Sequence, residues 1–537
     1  MSKDLRQNIK LKKLQEKTDF SDGRSIERYA MYLEGMTFGD VLDLDIHPKG
    51  GNEPNFSNPN YKGGMGTLLE ERYFGYKANS DEGPDFAEAG VELKSTCYDS
   101  KWNREYSDRM SAGEDLPITT IHFNEPVCLD FYSSKLWKKC QKILLVYYQR
   151  EKKSSNTKLN QRIELNQRIK FVYMLDLTKP EFADDLEIIR NDYENIIEKI
   201  QTGYADGLSA RDTRLLCAKT KDSAPYKKVP QFYARIDEHG NEVQAPPAKK
   251  RSFYFKRKYM DYLLHERIKE KPTTTERIFK GACLVDRTLE KQVEDRIKPY
   301  IGRTDIDLCD ELAVKYSLDS NSNNSVWTTL AYRMLQIKNR RADEFLKAGI
   351  SVRAVRIEEG GDINESLSFA PFEFLDLVKE NWEDSDLRTY LEETEFFFVV
   401  FAKEPNKNFY QLLGCCFWNM PADDIEGPAK ACWEQTKNTV INGVKLEQQF
   451  KKDGTPRLSK KGKPTYSNNL PKESENSCMH VRPHAGDSFY DFGNGKIVGD
   501  SRSNASELPD GRWMTKQSFW LNSDYVLKAI KNELGEI

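Results

Sequence analysis

The sequence predicts two tandem α/β domains, each with a mixed central sheet flanked by helices. Three observations lead there. Short apolar runs of strand character alternate with segments of helical period, one ordered set of landmarks occurs twice in the chain, and a Lys/Pro/Thr-rich stretch separates the two sets. A length of 537 residues agrees, since one hydrophobic core stops growing well before that size.

Residues 4–46 read as helices, with Leu5, Ile9, Leu11 and Leu14, then Ile26, Tyr29, Ala30 and Leu33, at helical spacing, and Ser21-Asp22-Gly23 as punctuation. Residues 47–64 form a Pro/Gly/Asn-rich loop. A helix from about Gly66 carries Leu68, Leu69, Glu70, Tyr73 and Phe74, and Gly83-Pro84 forces an extended entry into Asp85. Strands are predicted at 91–97, 118–123, 142–148 and 169–175, with a polar hairpin excursion at 150–167. Then come a helix over 181–203, a short strand and turn at 215–221, a hairpin turning at 237–241, a strand from Lys249 and a helix to about 268.

After Lys269-Glu270-Lys271-Pro272-Thr273-Thr274-Thr275 the order repeats. A helix holds Trp327 to Tyr332, strands follow at 396–401 and 412–417, and a helix covers about 423–443, ahead of a basic loop over roughly 450–476. Ala342-Asp343-Glu344-Phe345-Leu346-Lys347-Ala348-Gly349-Ile350-Ser351-Val352-Arg353 repeats the skeleton of Gly83-Pro84-Asp85-Phe86-Ala87-Glu88-Ala89-Gly90-Val91-Glu92-Leu93-Lys94. Met479 to His484 stands where Cys217 to Lys221 stood, and Gln517 to Tyr525 mirrors Arg251 to Tyr259. The boundaries predicted are residues 1–270, a linker at 271–277, and 278–537.

Composition narrows the class of function. The chain is 38% hydrophobic and 31% charged, its mean hydropathy is -0.74, and no apolar run reaches the ~18 residues of a membrane span. The start, Met1-Ser2-Lys3-Asp4, lacks a signal-peptide apolar region, so a cytoplasmic protein without a membrane partner is expected. Ten cysteines without a CxxC pair read as reduced thiols rather than a zinc site. A net charge of -3 argues against a general nucleic-acid coat, but leaves room for a local basic surface.

Chemistry concentrates in the first copy of the repeat. Residues two apart on a strand share a face, so Glu92 and Lys94 project together while Val91 and Leu93 face a core. Asp85 can bring a second carboxylate to the end of that face. Two carboxylates and a lysine suit Mg2+-assisted phosphodiester hydrolysis, because oxygen ligands hold a hard cation, the cation acidifies a bound water, and an ammonium steadies the water or the developing charge. The pattern alone is weak, since a solvated strand face can carry it. Glu70, one helix earlier, can complete or orient the metal shell, and Lys139 can reach a phosphate. The second copy has Tyr332, Ser351 and Arg353 in place of Glu70, Glu92 and Lys94; joint loss fits a set that serves one function.

Basic residues interleaved with aromatics at 249–259, including Tyr254 and Lys256, suit a DNA face. Lys219, Lys221, Arg482 and His484 lie on turns from which base edges are accessible.

These residues resemble the MutH family and, over almost the whole chain, the larger GATC-cutting type II restriction endonucleases of the Sau-three-A type. Gly83 to Lys94 looks like the family's metal-binding segment, and Lys62-Gly63-Gly64-Met65-Gly66-Thr67-Leu68-Leu69-Glu70 resembles the helix that contributes a further acidic residue, with Lys62 at its head expected on DNA. Lys139 falls where the family has another active-site lysine. Arg251 to Lys256 is similar to a segment whose tyrosine contacts DNA, pointing to Tyr254, and Lys219-Thr220-Lys221 stands where MutH proteins use Arg-Pro-Lys.

The resemblance implies two MutH-like, restriction-endonuclease-like domains. The first is a catalytic domain with Asp85, Glu92 and Glu70 at the metal and Lys94 and Lys139 beside it. The second holds another copy of the site as an allosteric effector without cutting. It further implies Mg2+ as cofactor, double-stranded DNA with two sites per active complex, and a chain that is monomeric when free and dimeric on DNA. The alternatives are a strand-nicking repair endonuclease like MutH itself and a non-cleaving DNA-binding regulator.

Overall fold

The structure, a computed structural model, describes residues 3–44, 64–76, 83–100, 106, 108–150, 163–220, 227–269, 274–279, 288–315, 324–363, 366–458, 462, 464–499 and 501–535. Lys62, Lys221 and most of the polar excursion at 150–167 lie outside these; the excursion's end, Ile163–Asn166, is a helical turn. The chain divides into two compact units: unit 1 is Met1–Asp286 with Asp343–Gly349, and unit 2 is Arg287–Ala342 with Ile350–Ile537.

Unit 1 begins with helices, among them α1 (Gly23–Ala30), started by the Asp22 carboxylate, which accepts the N–H groups of Arg24 and Ser25. α2 (Gly64–Leu68) runs on as a π-helical turn through Phe74 and stops at Gly75, whose φ of 78° suits glycine. Next come β1 (Glu92–Asp99), β2 (Leu116–Ile121), α3 (Lys135–Cys140), β3 (Lys142–Gln149), β4 (Arg168–Asp176), α4 (Ala183–Gln201), β5 (Leu216–Thr220), β6 (Arg251–Phe255) and α5 (Arg257–Leu263).

The main sheet is mixed, with β1 parallel to β3, β3 antiparallel to β4, and the short strand Ser111–Ala112 on the outer edge of β1. β3 explains its central place. Ile143, Leu145 and Tyr147 enter one core while Leu144, Val146 and Tyr148 enter another, so both faces are covered and the strand reads as an unbroken apolar run. Each fully buried aliphatic of this kind contributes about 1.5–3 kcal/mol. A second, antiparallel sheet has the order β2-β6-β5.

Unit 2 repeats this plan. Its α6 (Asn324–Met334) packs on β7 (Ile350–Ile357), with α7 (Asp343–Ala348) between them in sequence. β8 (Leu367–Phe372), α8 (Asp386–Glu393), β9 (Glu395–Lys403), β10 (Tyr410–Trp418), α9 (Lys430–Asn442), β11 (Met479–Pro483), β12 (Gln517–Leu521) and α10 (Ser523–Leu534) follow. β7 runs parallel to β9 and β9 antiparallel to β10, while β8-β12-β11 forms the antiparallel partner sheet. The registers match residue by residue. Glu92 lies opposite Ile143 and Ser351 opposite Phe396; Ser252 lies opposite Lys219 and Ser518 opposite Arg482. Gly90 and Gly349, at the same place in the repeat, both take positive φ, 66° and 71°, which disfavours any side chain.

Two expectations change. The predicted linker at 271–277 is not a free tether where it is described, because Arg277 pairs with Asp184 at 2.8 Å and the Glu276 carbonyl accepts the Asp343 N–H. The repeat segment at 342–353 is also split between the units. α7 belongs to unit 1, where buried Lys347 reaches Asp185 at 2.6 Å and Asp343 at 2.7 Å, and Tyr262 donates to Asp343. Buried apolar packing and an ion cluster that no repeat pattern encodes decide its location.

Candidate active site

The centre of unit 1 is built by a tight turn feeding β1. Phe86 and Val91 exchange backbone hydrogen bonds at 2.8 and 3.2 Å, closing the turn that Gly90 permits. This folds Asp85 back alongside the strand, where its Oδ2 accepts the Leu93 N–H at 2.8 Å. Val91 and Leu93 enter the core while Glu92 and Lys94 take the opposite face, as strand period two requires. Lys94 Nζ donates to Glu92 Oε1 at 2.8 Å. From the last turn of α3, Lys139 Nζ lies 3.3 Å from both Glu92 oxygens. The Glu92 side chain is 2% exposed, so two ammonium groups supply the compensation that a buried carboxylate requires.

Glu70 comes from the π-turn after α2. Burial, then the neighbouring Asp85, with a smaller push from Glu92, raises its carboxyl to about 7 against the pull of Lys94. Burial and Glu92 likewise raise Asp85, which the Leu93 N–H, Lys94 and Lys139 partly oppose. Two carboxyls, Glu70 and Asp85, both held above their ordinary range by burial and by the carboxylates beside them, mark a site short of positive charge. Among the described residues no three His, Cys, Asp or Glu side chains converge as a complete metal cage. Mg2+ is commonly held by one or two carboxylates with water and substrate phosphate completing the shell, and the all-oxygen donor pair Asp85 and Glu92 fits that mode.

Sequence reasoning missed Tyr76. Its hydroxyl is buried without a hydrogen-bond partner, and Asp85, Glu70 and Glu92 add to burial in raising its pKa. Its ring meets Phe86 edge-on at 5.2 Å. The aromatic run Tyr73-Phe74-Gly75-Tyr76 reads as core; only the orphaned hydroxyl beside three carboxylates marks the last residue as different.

The residues expected on DNA fall into different situations. Tyr254 is half-buried on β6, opposite Cys217. Lys219, on β5, is paired with Asp115, which also accepts the Arg257 N–H. Lys256 is corrected: it is 8% exposed, its ammonium donates to the Thr213 carbonyl, and burial lowers its pKa. It anchors the end of β6, and leaves the interface. Asn522, at the same place in unit 2, does similar work by donating to the Asn476 carbonyl at 2.7 Å. Arg482 is exposed and lies 5.2 Å over the Trp520 ring, while His484 Nδ1 lies 2.8 Å from Ser518 Oγ.

The structure brings Asp85, Glu92, Lys94 and Lys139 together, with Glu70 electrostatically coupled to them. Residues 74–192 match the family model of the DNA mismatch repair enzyme MutH, a span that holds Asp85, Glu92, Lys94 and Lys139 and begins just after Glu70. The chain is also 30% identical over 485 residues to the type II restriction enzyme Sau3AI of Staphylococcus aureus, covering 86% of this chain and 91% of that one. Similarity of that extent, spanning both units and the strand-turn centre alike, means that the chain belongs to the MutH/Sau3AI-type endonuclease family.

Proposed function

We propose that the chain is a Mg2+-dependent type II restriction endonuclease that hydrolyses phosphodiester bonds of double-stranded DNA at unmodified 5'-GATC-3', stimulated by a second copy of the site bound to unit 2. The observation that carries the cutting role is the Asp85, Glu92, Lys94 and Lys139 cluster, held on one strand face and one helix end. The sequence specificity rests on the family resemblance.

In this reading Asp85 and Glu92 hold the ion, with Glu70 assisting. The ion, when bound, supplies a Lewis acid for the attacking water and for the charge on phosphate. Lys94, on the same strand face as Glu92, would orient the water or meet the developing negative charge. Lys139 shares that charge from the α3 side and holds the Glu92 carboxylate in place. Tyr254 and Lys219 meet DNA along β6 and β5, with Lys219 exchanging Asp115 for a phosphate or base edge.

For unit 2, support comes from the register. Ser351 occupies the position of Glu92 and Arg353 that of Lys94, so the carboxylate-lysine set is missing while Arg482 stays exposed beside Trp520. One cutting centre per chain serves one strand at a time, so dimerisation on DNA or sequential nicking is expected.

Mapping cleavage ends on a sequenced plasmid, with and without adenine or cytosine methylation, tests the specificity: ends at every unmodified GATC in Mg2+ and none in EDTA are expected, and ends elsewhere overturn it. Plasmids with one and two sites test the effector role. The two-site plasmid should be cut faster, and a site-bearing oligonucleotide should accelerate the one-site plasmid; equal rates in all cases contradict it.

A further inference from the structure

The unit 2 counterpart of the active centre has reversed its charge preference. Ser351 pairs with Phe396 as Glu92 pairs with Ile143, and Arg353 pairs with Phe398 as Lys94 pairs with Leu145. Tyr332 stands at the place of Glu70 on the preceding helix. Counting from the strand starts, the counterpart of Lys139 is Glu392, which is tied to Arg388 at 3.1 Å. The Glu92 and Glu70 carboxylates are therefore gone, the one at the place of Asp85, Glu344, is taken up by the N–H groups of Ile278 and Phe279, and the one carboxylate gained is neutralised by its own helix.

What remains is positive. Arg353 is half-buried, and its Nε is buried with no hydrogen-bond partner. Arg333, on the helix α6 that packs on β7, has an Nε in the same condition. A buried donor without an acceptor is costly, more so for a charged group, and is a place where a ligand can supply the acceptor. The loop after α6 has Arg340 and Arg341 where the sequence before Asp85 has Asp81 and Glu82. That loop also holds Gln336 and Arg340 at positive φ, 65° and 59°, strained backbone of the kind that persists at binding sites.

We propose that this part of unit 2 is a metal-independent phosphate site, in which the Arg353 guanidinium takes a backbone phosphate of duplex DNA directly. Unit 1 needs a divalent cation to bring a phosphate up to three carboxylates; unit 2 meets the phosphate with a fixed fork of donors instead. The proposal rests on the reading of unit 2 as a DNA-holding domain and adds what holds the DNA there. Unit 2 can thus be loaded before any metal arrives.

The test is duplex binding by the full chain, followed by fluorescence anisotropy and by stoichiometry, in EDTA and in Ca2+ as a non-cleaving substitute. The wild type is expected to bind one site-bearing duplex per chain in EDTA and two in Ca2+. Arg353→Gln should weaken the EDTA-resistant binding tenfold or more and flatten its dependence on salt by about one phosphate contact. Arg353→Lys, which keeps charge and fold, should restore the salt slope but only part of the affinity. EDTA-resistant binding with unchanged affinity and slope in Arg353→Gln overturns the proposal. Two duplexes in Ca2+ and none in EDTA also overturn it while leaving unit 2 a DNA-holding domain. One duplex in Ca2+ and none in EDTA removes that underlying reading as well.

Discussion

Glu70 is the residue at which burial and neighbouring carboxylates act together most plainly. Its carboxyl sits at about 7 in the folded chain against 4.5 for an ordinary glutamate, so the neutral form is favoured on folding. The stability this contributes is fully present below about 4.5 and is lost as pH rises through about 7. Glu70→Gln removes the titration. In EDTA, the stability of the variant relative to wild type should rise between those two pH values and level off above them, as read from thermal unfolding across pH. A constant difference would mean that the Glu70 carboxyl is neither buried nor crowded by Asp85 and Glu92 as described. The sequence made Glu92 and Lys94 legible because strand period two leaves them no other face, whereas Tyr76 stayed hidden because an aromatic in an aromatic run carries no periodic signature. Lys256 was misread for a related reason: alternation places Phe253 and Phe255 inside, yet the lysine just past the strand end turns inward to the Thr213 carbonyl.

Among the elements, α7 carries the clearest structural lesson. As a repeat of Pro84 to Ala89 it should sit with unit 2, yet it belongs to unit 1. Lys347 holds it there between Asp185 and Asp343, with side chains 3%, 1% and 6% exposed. Removing one member of a buried ion cluster strands the others, so Lys347→Ala should destabilise unit 1 by about 3–5 kcal/mol, measured by urea unfolding. A loss under about 1 kcal/mol, the range of exposed pairs, would contradict the arrangement. Glu344, aligned with Asp85, shows how the same position has changed work. It accepts the N–H groups of Ile278 and Phe279 at 3.0 and 3.1 Å and so pins the chain that leaves unit 1. The sheets, by contrast, were readable from the start, because apolar runs covered on both faces leave little freedom in register. The partner of Asp185 lies 162 residues away, a distance over which spacing carries no information.

For the whole molecule, duplication followed by divergence accounts for the proposed division of labour. Both units keep the parallel pair, the antiparallel partner sheet and the long helix, while only unit 1 combines carboxylates with lysines on the first strand. No helix among the described residues is long and apolar enough to cross a membrane. The central claim is that Asp85, Glu92 and Lys94 form the one cutting centre of the chain. Plasmid cleavage in Mg2+ by the full-length Asp85→Ala variant, alongside wild type, tests it most directly. The account predicts a loss of about 10²-fold or more, the scale for removing a principal charge-stabilising group, with site-bearing DNA still bound; cleavage at the wild-type rate would contradict it and place the chemistry elsewhere in the chain.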